Sequence, residues 1–146
     1  MNSMVDVYIG LGSNLGDRHT LLLAAIERII ARVGPIVRCS SFIETEPWGF
    51  ESDNVFMNAV ALFRTTLSPH ELLVATQAIE RELGREHKSV EGHYADRPID
   101  IDILLYGDQV VDEPDLTIPH PRMKERPFVM QPLSELLSFD ERAPHF

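Results

Sequence analysis

Y-A-D-R-P-I-D-I-D-I-L-L-Y-G-D, from Tyr94 to Asp108, is the stretch around which the rest of the chain is arranged. Its apolar, β-branched centre from Ile99 to Leu105, with Pro98 ahead and Gly107 behind, predicts a strand. Side chains alternate along a strand, so Ile99, Ile101, Ile103 and Leu105 are expected on one face. Asp100 and Asp102 then share the other face, roughly 6–7 Å apart along the backbone. Two carboxylates at that spacing on a half-buried surface repel by about 3 kcal/mol at an effective dielectric near 20. A cation between them removes that cost, and the candidates are the adjacent Arg97 or divalent metal. Asp-x-Asp on a strand presents hard oxygen ligands to magnesium against nucleotide phosphates. The plainer alternative is a solvated strand end with an arginine partner.

Upstream of this strand, the polar segment Arg85 to Asp96, with Gly92 inside it, has the length of a lid. Before it, Ser68-Pro69-His70-Glu71 is a strong helix start: Ser68 as cap, Pro69 in the first position, Glu71 closing a capping box. Leu72, Ala75, Ile79 and Leu83 form the expected buried stripe, and Gly84 ends the helix. Gln77 and Glu80 are three apart and therefore neighbours on its surface, by default a solvated one. Val55 to Thr65 predicts a strand with Phe56, Asn58, Val60 and Leu62 on one face. The amide of Asn58 among apolar neighbours demands a hydrogen bond, to backbone by default or to a ligand edge. The preceding loop, E-T-E-P-W-G-F-E-S-D-N from Glu44 to Asn54, carries Trp48 and Phe50, which either stack on a flat ligand or fold back onto the domain.

Nearer the amino end, Val5, Val7, Ile9 and Leu11 alternate with Asp6, Tyr8 and Gly10 as a first strand. Gly10 to Asp17 reads as a turn, with Asp17 as helix cap. It lacks the lysine of a P-loop, so tight-turn packing is its expected role. Leu22, Ile26, Ile29, Ile30 and Val33 repeat at helical spacing up to Gly34-Pro35, and Ile36 to Ile43 predicts a second strand. Downstream, Gln109 to Asp112 is expected to pair with the end of the Asp-x-Asp strand. Leu116 to Pro121 is extended because two prolines forbid regular helix, and a closing helix is expected around Pro132 to Leu137. The resulting order, β-α-β-β-α-β, is that of an α+β ferredoxin-like sandwich, an antiparallel sheet with its helices on one face. Asp100, Asp102 and Asn58 would then lie on the open face, beneath the loops.

At 146 residues, 44% hydrophobic and 25% charged, the chain fits one domain spanning 1–146. A formal net charge of −10 argues against nonspecific binding to nucleic acid or anionic membrane. The basic groups Arg81, Arg85, Lys88 and Arg97, and Arg122, Lys124 and Arg126, make local clamps at most. A single cysteine, Cys39, excludes an internal disulfide and fits a reducing compartment. Met1 to Asp6 lacks the basic start and apolar core of a signal peptide, so a cytoplasmic location is expected.

Several blocks in order resemble one family, the 6-hydroxymethyl-7,8-dihydropterin pyrophosphokinases of folate biosynthesis. These are G-S-N-L near the start, S-S-F-I-E-T with P-W-G after it, and F-M-N-A-V in the strand after Val55. Q-A-I-E-R-E-L-G-R, D-R-P-I-D-I-D-I-L-L-Y-G and L-T-I-P-H-P-R-M complete the set, and Arg97-x-x-Asp100-x-Asp102 is its most specific part. The resemblance implies transfer of pyrophosphate from ATP to the pterin's hydroxymethyl oxygen, with release of AMP. It places two magnesium ions on Asp100 and Asp102, and adds Arg97 and Arg85 to the catalytic set. ATP contacts would fall on Gln77, Glu80, Arg97, Ile103, Thr117, His120 and Arg126. The pterin would lie against Thr45, Trp48, Phe56, Asn58 and Phe128, stacked between the two phenylalanines. A monomer is expected on the same ground.

The chain departs from the family pattern in the lid, where His87 or Lys88 stands in for a second arginine and Tyr94 for a tryptophan. Pro121 replaces a tyrosine, and Asp115 stands where some members have a basic residue. Two other readings compete with the family: a different two-metal nucleotidyltransferase, and a non-catalytic ferredoxin-like binding module. The first needs its Gly-Ser and Asp-x-Asp motifs close together, whereas here Ser13 and Asp100 lie far apart in sequence. The second needs no carboxylate pair.

Overall fold

In the computed structural model, which describes residues 3–14, 16–45, 55–84 and 99–137, the alternating stretch at the amino end is the central strand β1, Val5–Ser13. The turn expected from Gly10 begins later, because β1 is paired on both sides as far as Gly12. After β1 come helix α1 (Arg18–Arg32), strands β2 (Ile36–Cys39), β3 (Ile43–Thr45) and β4 (Phe56–Thr65), and helix α2 (Pro69–Glu82). Strands β5 (Asp100–Tyr106), β6 (Val111–Glu113) and β7 (Leu116–Ile118) follow, then a 3-10 turn at Met123–Glu125 and helix α3 (Pro127–Leu137). The main sheet runs β2-β4-β1-β5, antiparallel throughout, with β3 continuing along β4 beyond β2. This is the α+β, ferredoxin-like order expected from the sequence.

The expected single strand Ile36 to Ile43 is two strands, since serine hydroxyls compete for the backbone between them. Ser40 N–H donates to Val60 O and Ser40 Oγ accepts from Val60 N, both at 2.9 Å. Ser41 is taken by Glu135, whose Oε1 accepts from its backbone N–H at 3.0 Å and its hydroxyl at 2.9 Å.

Both helix starts have the expected caps: Asp17 accepts from Thr20 N at 3.1 Å, and Ser68 and Glu71 form a reciprocal capping box. The two helices bury Leu22, Ala25, Ile29, Leu72 and Ile79 against Val7, Ile9, Ile101 and Ile103 on one face of the sheet. Among the described residues the other face is half covered. Helix α3, which begins at Pro127 rather than near Pro132, packs Val129, Leu133 and Leu136 on Tyr8, Val60, Leu62 and Leu104.

Strand β5 changes face partway. Its register with β1 shifts between Tyr8 and Ile9, so that Tyr8 opposes Leu105 while Ile9 opposes Ile103. Leu104 is the extra residue of a β-bulge, which re-aims everything after it. Leu105 therefore joins the α3 cluster instead of the isoleucine face expected for it, and Tyr106 returns to the α1/α2 side. A second correction concerns Val111 to Glu113, which pair with β7 rather than with β5. Pro114-Asp115 supplies the tight turn between β6 and β7. Among the described residues no helix is long and apolar enough to cross a membrane.

Candidate active site

Strand register alone assembles the polar end of the face turned away from α1 and α2. Gly12 pairs with Asp100 on one side and Asn58 on the other, and Asn58 pairs with Ile43 beyond. One step along, Gly10 lies between Val60 and Asp102. The two glycines of β1 thus stand directly opposite the two aspartates of β5 and leave a shelf, bare of β1 side chains, between Asp100 and Asn58. A Cβ on Gly12 would lie 2.7 Å from Asn58 Oδ1 and 3.7 Å from Phe56 Cδ1, so the amide occupies room that only glycine leaves open.

Asn58 is buried, and its Nδ2 donates to Thr45 Oγ1 at 2.5 Å. The partner is a side-chain hydroxyl from the neighbouring strand, not the backbone expected by default. Thr45 and Phe56 are themselves half-buried at this end of the sheet. Phe128, half-buried in the first turn of α3, lies under the Arg126 guanidinium with Cζ 5.7 Å from its ring centroid.

The aspartate strand is held from its outer edge by α2. Glu80 is buried, and its Oε2 accepts from the backbone N–H of Ile101, between the two aspartates, at 2.9 Å. This bond satisfies an amide on the open edge of β5, and fixes the height at which Asp100 and Asp102 are presented. Gln77, one turn earlier, is half-buried.

Beside that edge lies a cleft of about 260 Å³ between β5 and β7, lined among others by Asp102, Ile103, Asp115, Thr117 and His120. Helix α2 reaches it through Leu73. The bulge contributes here as well: His120 N–H donates to Leu104 O at 3.0 Å, which fixes the residue after Pro119 against β5. Nδ1 of His120 lies 3.4 Å from the Arg122 amide as acceptor, which leaves Nε2–H as the ring's donor. Burial, reinforced by Arg126 and opposed by Asp100, holds the His120 imidazole below its usual range. It is therefore neutral at pH 7, a hydrogen-bond donor rather than a fixed charge.

Between the depressed folded value and the ordinary value near 6.5, the unfolded chain binds the proton and the folded one does not. Stability from this group is present above that window and falls as the pH drops into it. Denaturant midpoints at pH 7.5 and 5.5 are expected to show a smaller acid loss in His120→Asn than in the parent. An identical loss in both would refute this assignment.

Asp100 and Asp102 are half-buried and offer hard carboxylate oxygens on the open face, the donor type that magnesium takes. His70, Glu113 and Asp115 form another group, with one ligand atom each within 4.8 Å. All three are partly or largely exposed, and pairing of His70 with the two carboxylates accounts for their closeness.

Of the residues singled out from the sequence, Asp100, Asp102, Thr45, Phe56 and Asn58 fall on one end of the sheet. Ile103, Thr117 and His120 share the cleft with Asp102, and Arg126 and Phe128 open α3. Trp48, Arg85, Arg97 and the lid positions His87, Lys88 and Tyr94 lie outside the described residues. Sequence reasoning missed Gly12, whose function depends on a strand partner more than forty positions away (Asn58), and the cleft position of Asp115.

Residues 8–138 match the family model described as 7,8-dihydro-6-hydroxymethylpterin-pyrophosphokinase (HPPK). A 2-amino-4-hydroxy-6-hydroxymethyldihydropteridine pyrophosphokinase of Porphyromonas gingivalis is 57% identical over 134 residues, 91% of either chain. The protein of the same name from Aquifex aeolicus is 42% identical over 91% of this chain and 81% of its own. Among solved structures, Plasmodium falciparum HPPK-DHPS superposes with a TM-score of 0.70 at 17% identity, over 91% of this chain and 40% of that one. At that identity the superposition speaks for the fold.

Proposed function

Because the chain belongs to the 7,8-dihydro-6-hydroxymethylpterin-pyrophosphokinase family and is a pyrophosphokinase of folate synthesis, we propose that its two substrates meet across the Asp100–Gly12–Asn58 row. The register of that row is the observation that carries the proposal, because it places a carboxylate pair and an amide on one shelf. ATP lies in the cleft between β5 and β7, with its triphosphate directed to Asp102, which belongs to both the cleft and the shelf. The pterin lies at the other end of the row, its ring flanked by Phe56 and Phe128 and its polar edge against Asn58, Thr45 and Trp48.

The pterin hydroxymethyl oxygen attacks the β-phosphorus of ATP. The bond between that phosphorus and the α–β bridging oxygen breaks, AMP leaves, and the hydroxyl proton is lost. Such a transfer asks the protein for alignment and charge neutralisation more than for covalent chemistry. Asp100 and Asp102 hold two magnesium ions, which neutralise charge along the triphosphate when bound. Arg85, Arg97 and Arg126 add positive charge, and neutral His120 donates from Nε2 to a phosphate oxygen. Gln77, Ile103 and Thr117 contact the nucleotide. Glu80, with one oxygen on the β5 backbone, combines its nucleotide contact with support of the aspartates. One chain in the cytoplasm is the working unit, since shelf and cleft come from a single fold and free Cys39 suits a reducing compartment.

The test is direct: purified chain with ATP, magnesium and 6-hydroxymethyl-7,8-dihydropterin is expected to release AMP in step with pterin diphosphate. ADP as product, or no turnover, would overturn the assignment. A second expectation concerns the shelf. Gly12→Ala pushes on Asn58 Oδ1 and disturbs a buried amide whose hydrogen bonds are worth about 1–3 kcal/mol. Pterin KM should rise about tenfold or more while nucleotide affinity stays within about twofold; an unchanged pterin KM would dismiss this role for Gly12.

A further inference from the structure

We infer that Asp115 is a specificity residue for the nucleotide sugar, reading the ribose hydroxyls of the triphosphate substrate by accepting their hydrogen bonds. This rests on the reading of the β5–β7 cleft as the ATP site. Asp115 lines that cleft from the tight turn between β6 and β7, together with Thr117, His120 and Asp102. An ionised carboxylate only accepts hydrogen bonds. Of the groups ATP offers, the phosphates only accept as well, so Asp115 can meet only the 2′- and 3′-hydroxyls or the adenine amine. A second carboxylate in a cleft that already contains Asp102 repels the triphosphate, which places Asp115 beside the uncharged part of the nucleotide.

The sugar is favoured over the base by position. Asp115 is among the more exposed cleft residues, with 63% of its side chain accessible, and so lies at the rim. The apolar residues that line the deeper part of the cleft, where a purine ring would fit, are Leu73, Ile101, Ile103 and Leu116, buried or partly buried. The neighbouring imidazole leaves Asp115 capacity to accept. His70 Nε2 lies 2.8 Å from Glu113 Oε2 and 3.4 Å from Asp115 Oδ1, so Glu113 has the close contact and Asp115 the long one. His70 thereby orients the carboxylate without saturating it. Acidic side chains bind ribose hydroxyls in this manner in dinucleotide sites of unrelated fold.

The experiment compares kcat/KM for ATP, 2′-deoxyATP, 3′-deoxyATP and purine riboside triphosphate in the parent, Asp115→Asn and Asp115→Ala. A hydrogen bond to a charged group is stronger than one between neutral groups, so the parent should favour ATP over one or both deoxy nucleotides by roughly 10-fold or more. Asp115→Ala should lower the ATP value to that of the deoxy nucleotides and erase the preference, with Asp115→Asn intermediate. Equal use of ATP and both deoxy nucleotides by the parent would overturn the inference. So would full discrimination retained in Asp115→Ala, or a preference in the parent that follows the 6-amino group. Failure of the parent to release AMP from ATP at all would instead remove the underlying reading. Thermal midpoints of the variants separate a folding defect from a binding one.

Discussion

Asp100→Asn and Asp102→Asn are each expected to lower AMP formation by about three orders of magnitude, a loss of roughly 4 kcal/mol in transition-state stabilisation. The substitution removes charge and leaves shape. Both side chains are half-buried on the face turned away from α1 and α2, opposite two glycines, so the neutral amides fit where the carboxylates were. What disappears is the hard, negatively charged oxygen with which each position would hold magnesium. The variants should fold with thermal midpoints near that of the parent, and should need far more magnesium to reach their residual rate. Magnesium titrations of single-turnover AMP release, alongside thermal melts, separate these effects. A double variant retaining a tenth of the parent rate at the same magnesium concentration would remove the carboxylate pair from the mechanism.

The largest effect on stability is expected far from the chemistry, at Gly34. A Cβ there would lie 1.9 Å from Arg64 O, a backbone atom that no rotamer change can move, and φ is +154°. The surrounding backbone is fixed from both sides, since Arg64 N–H donates to Pro35 O at 3.0 Å and Thr65 Oγ1 to Val33 O at 2.8 Å. Gly34→Ala must therefore separate β2 from β4 where the chain leaves α1. The expected cost is about 3–5 kcal/mol, in the range reserved for disruption of a packed interior. For a domain of this size that lowers the thermal midpoint by roughly 10 °C or more. The folded fraction should keep the parent's pterin and ATP affinities, because the shelf is at the other end of β4. A melt within 2 °C of the parent would show that the strand end yields more easily than its bonding indicates.

What could be read from the sequence was local. Asp100 and Asp102 share a face because they are two apart on a strand, and Ser68-Pro69-His70-Glu71 announces a helix because capping chemistry spans four residues. Gly12 reads as part of a turn because its reason for being glycine lies on another strand: only pairing of β1 with β4 brings the Asn58 amide against it. The face change in β5 was hidden for a similar reason. I-L-L-Y, from Ile103 to Tyr106, is apolar throughout, and an unbroken apolar run carries no mark of where a bulge falls. The divided second strand did have a signal in Ser40-Ser41, whose hydroxyls compete with the ladder, but the acceptor on Ser41 is Glu135, in α3. Pro114-Asp115 was the overlooked turn signal for β6 and β7, and with it the cleft position of Asp115.

The bulge at Leu104 has a consequence for how this protein can change. Upstream of it, β5 answers to the chemistry of Asp100 and Asp102; downstream, it answers to the contacts of Leu105 with α3 and to the Tyr106 hydroxyl bonded to Leu67 O at 2.5 Å. Because one surplus residue separates the two halves, their phases are set independently, and neither tolerates a deletion in the segment that joins them. Homologues can exchange one apolar side chain for another along this strand, yet the number of residues between the second carboxylate and the tyrosine should stay invariant.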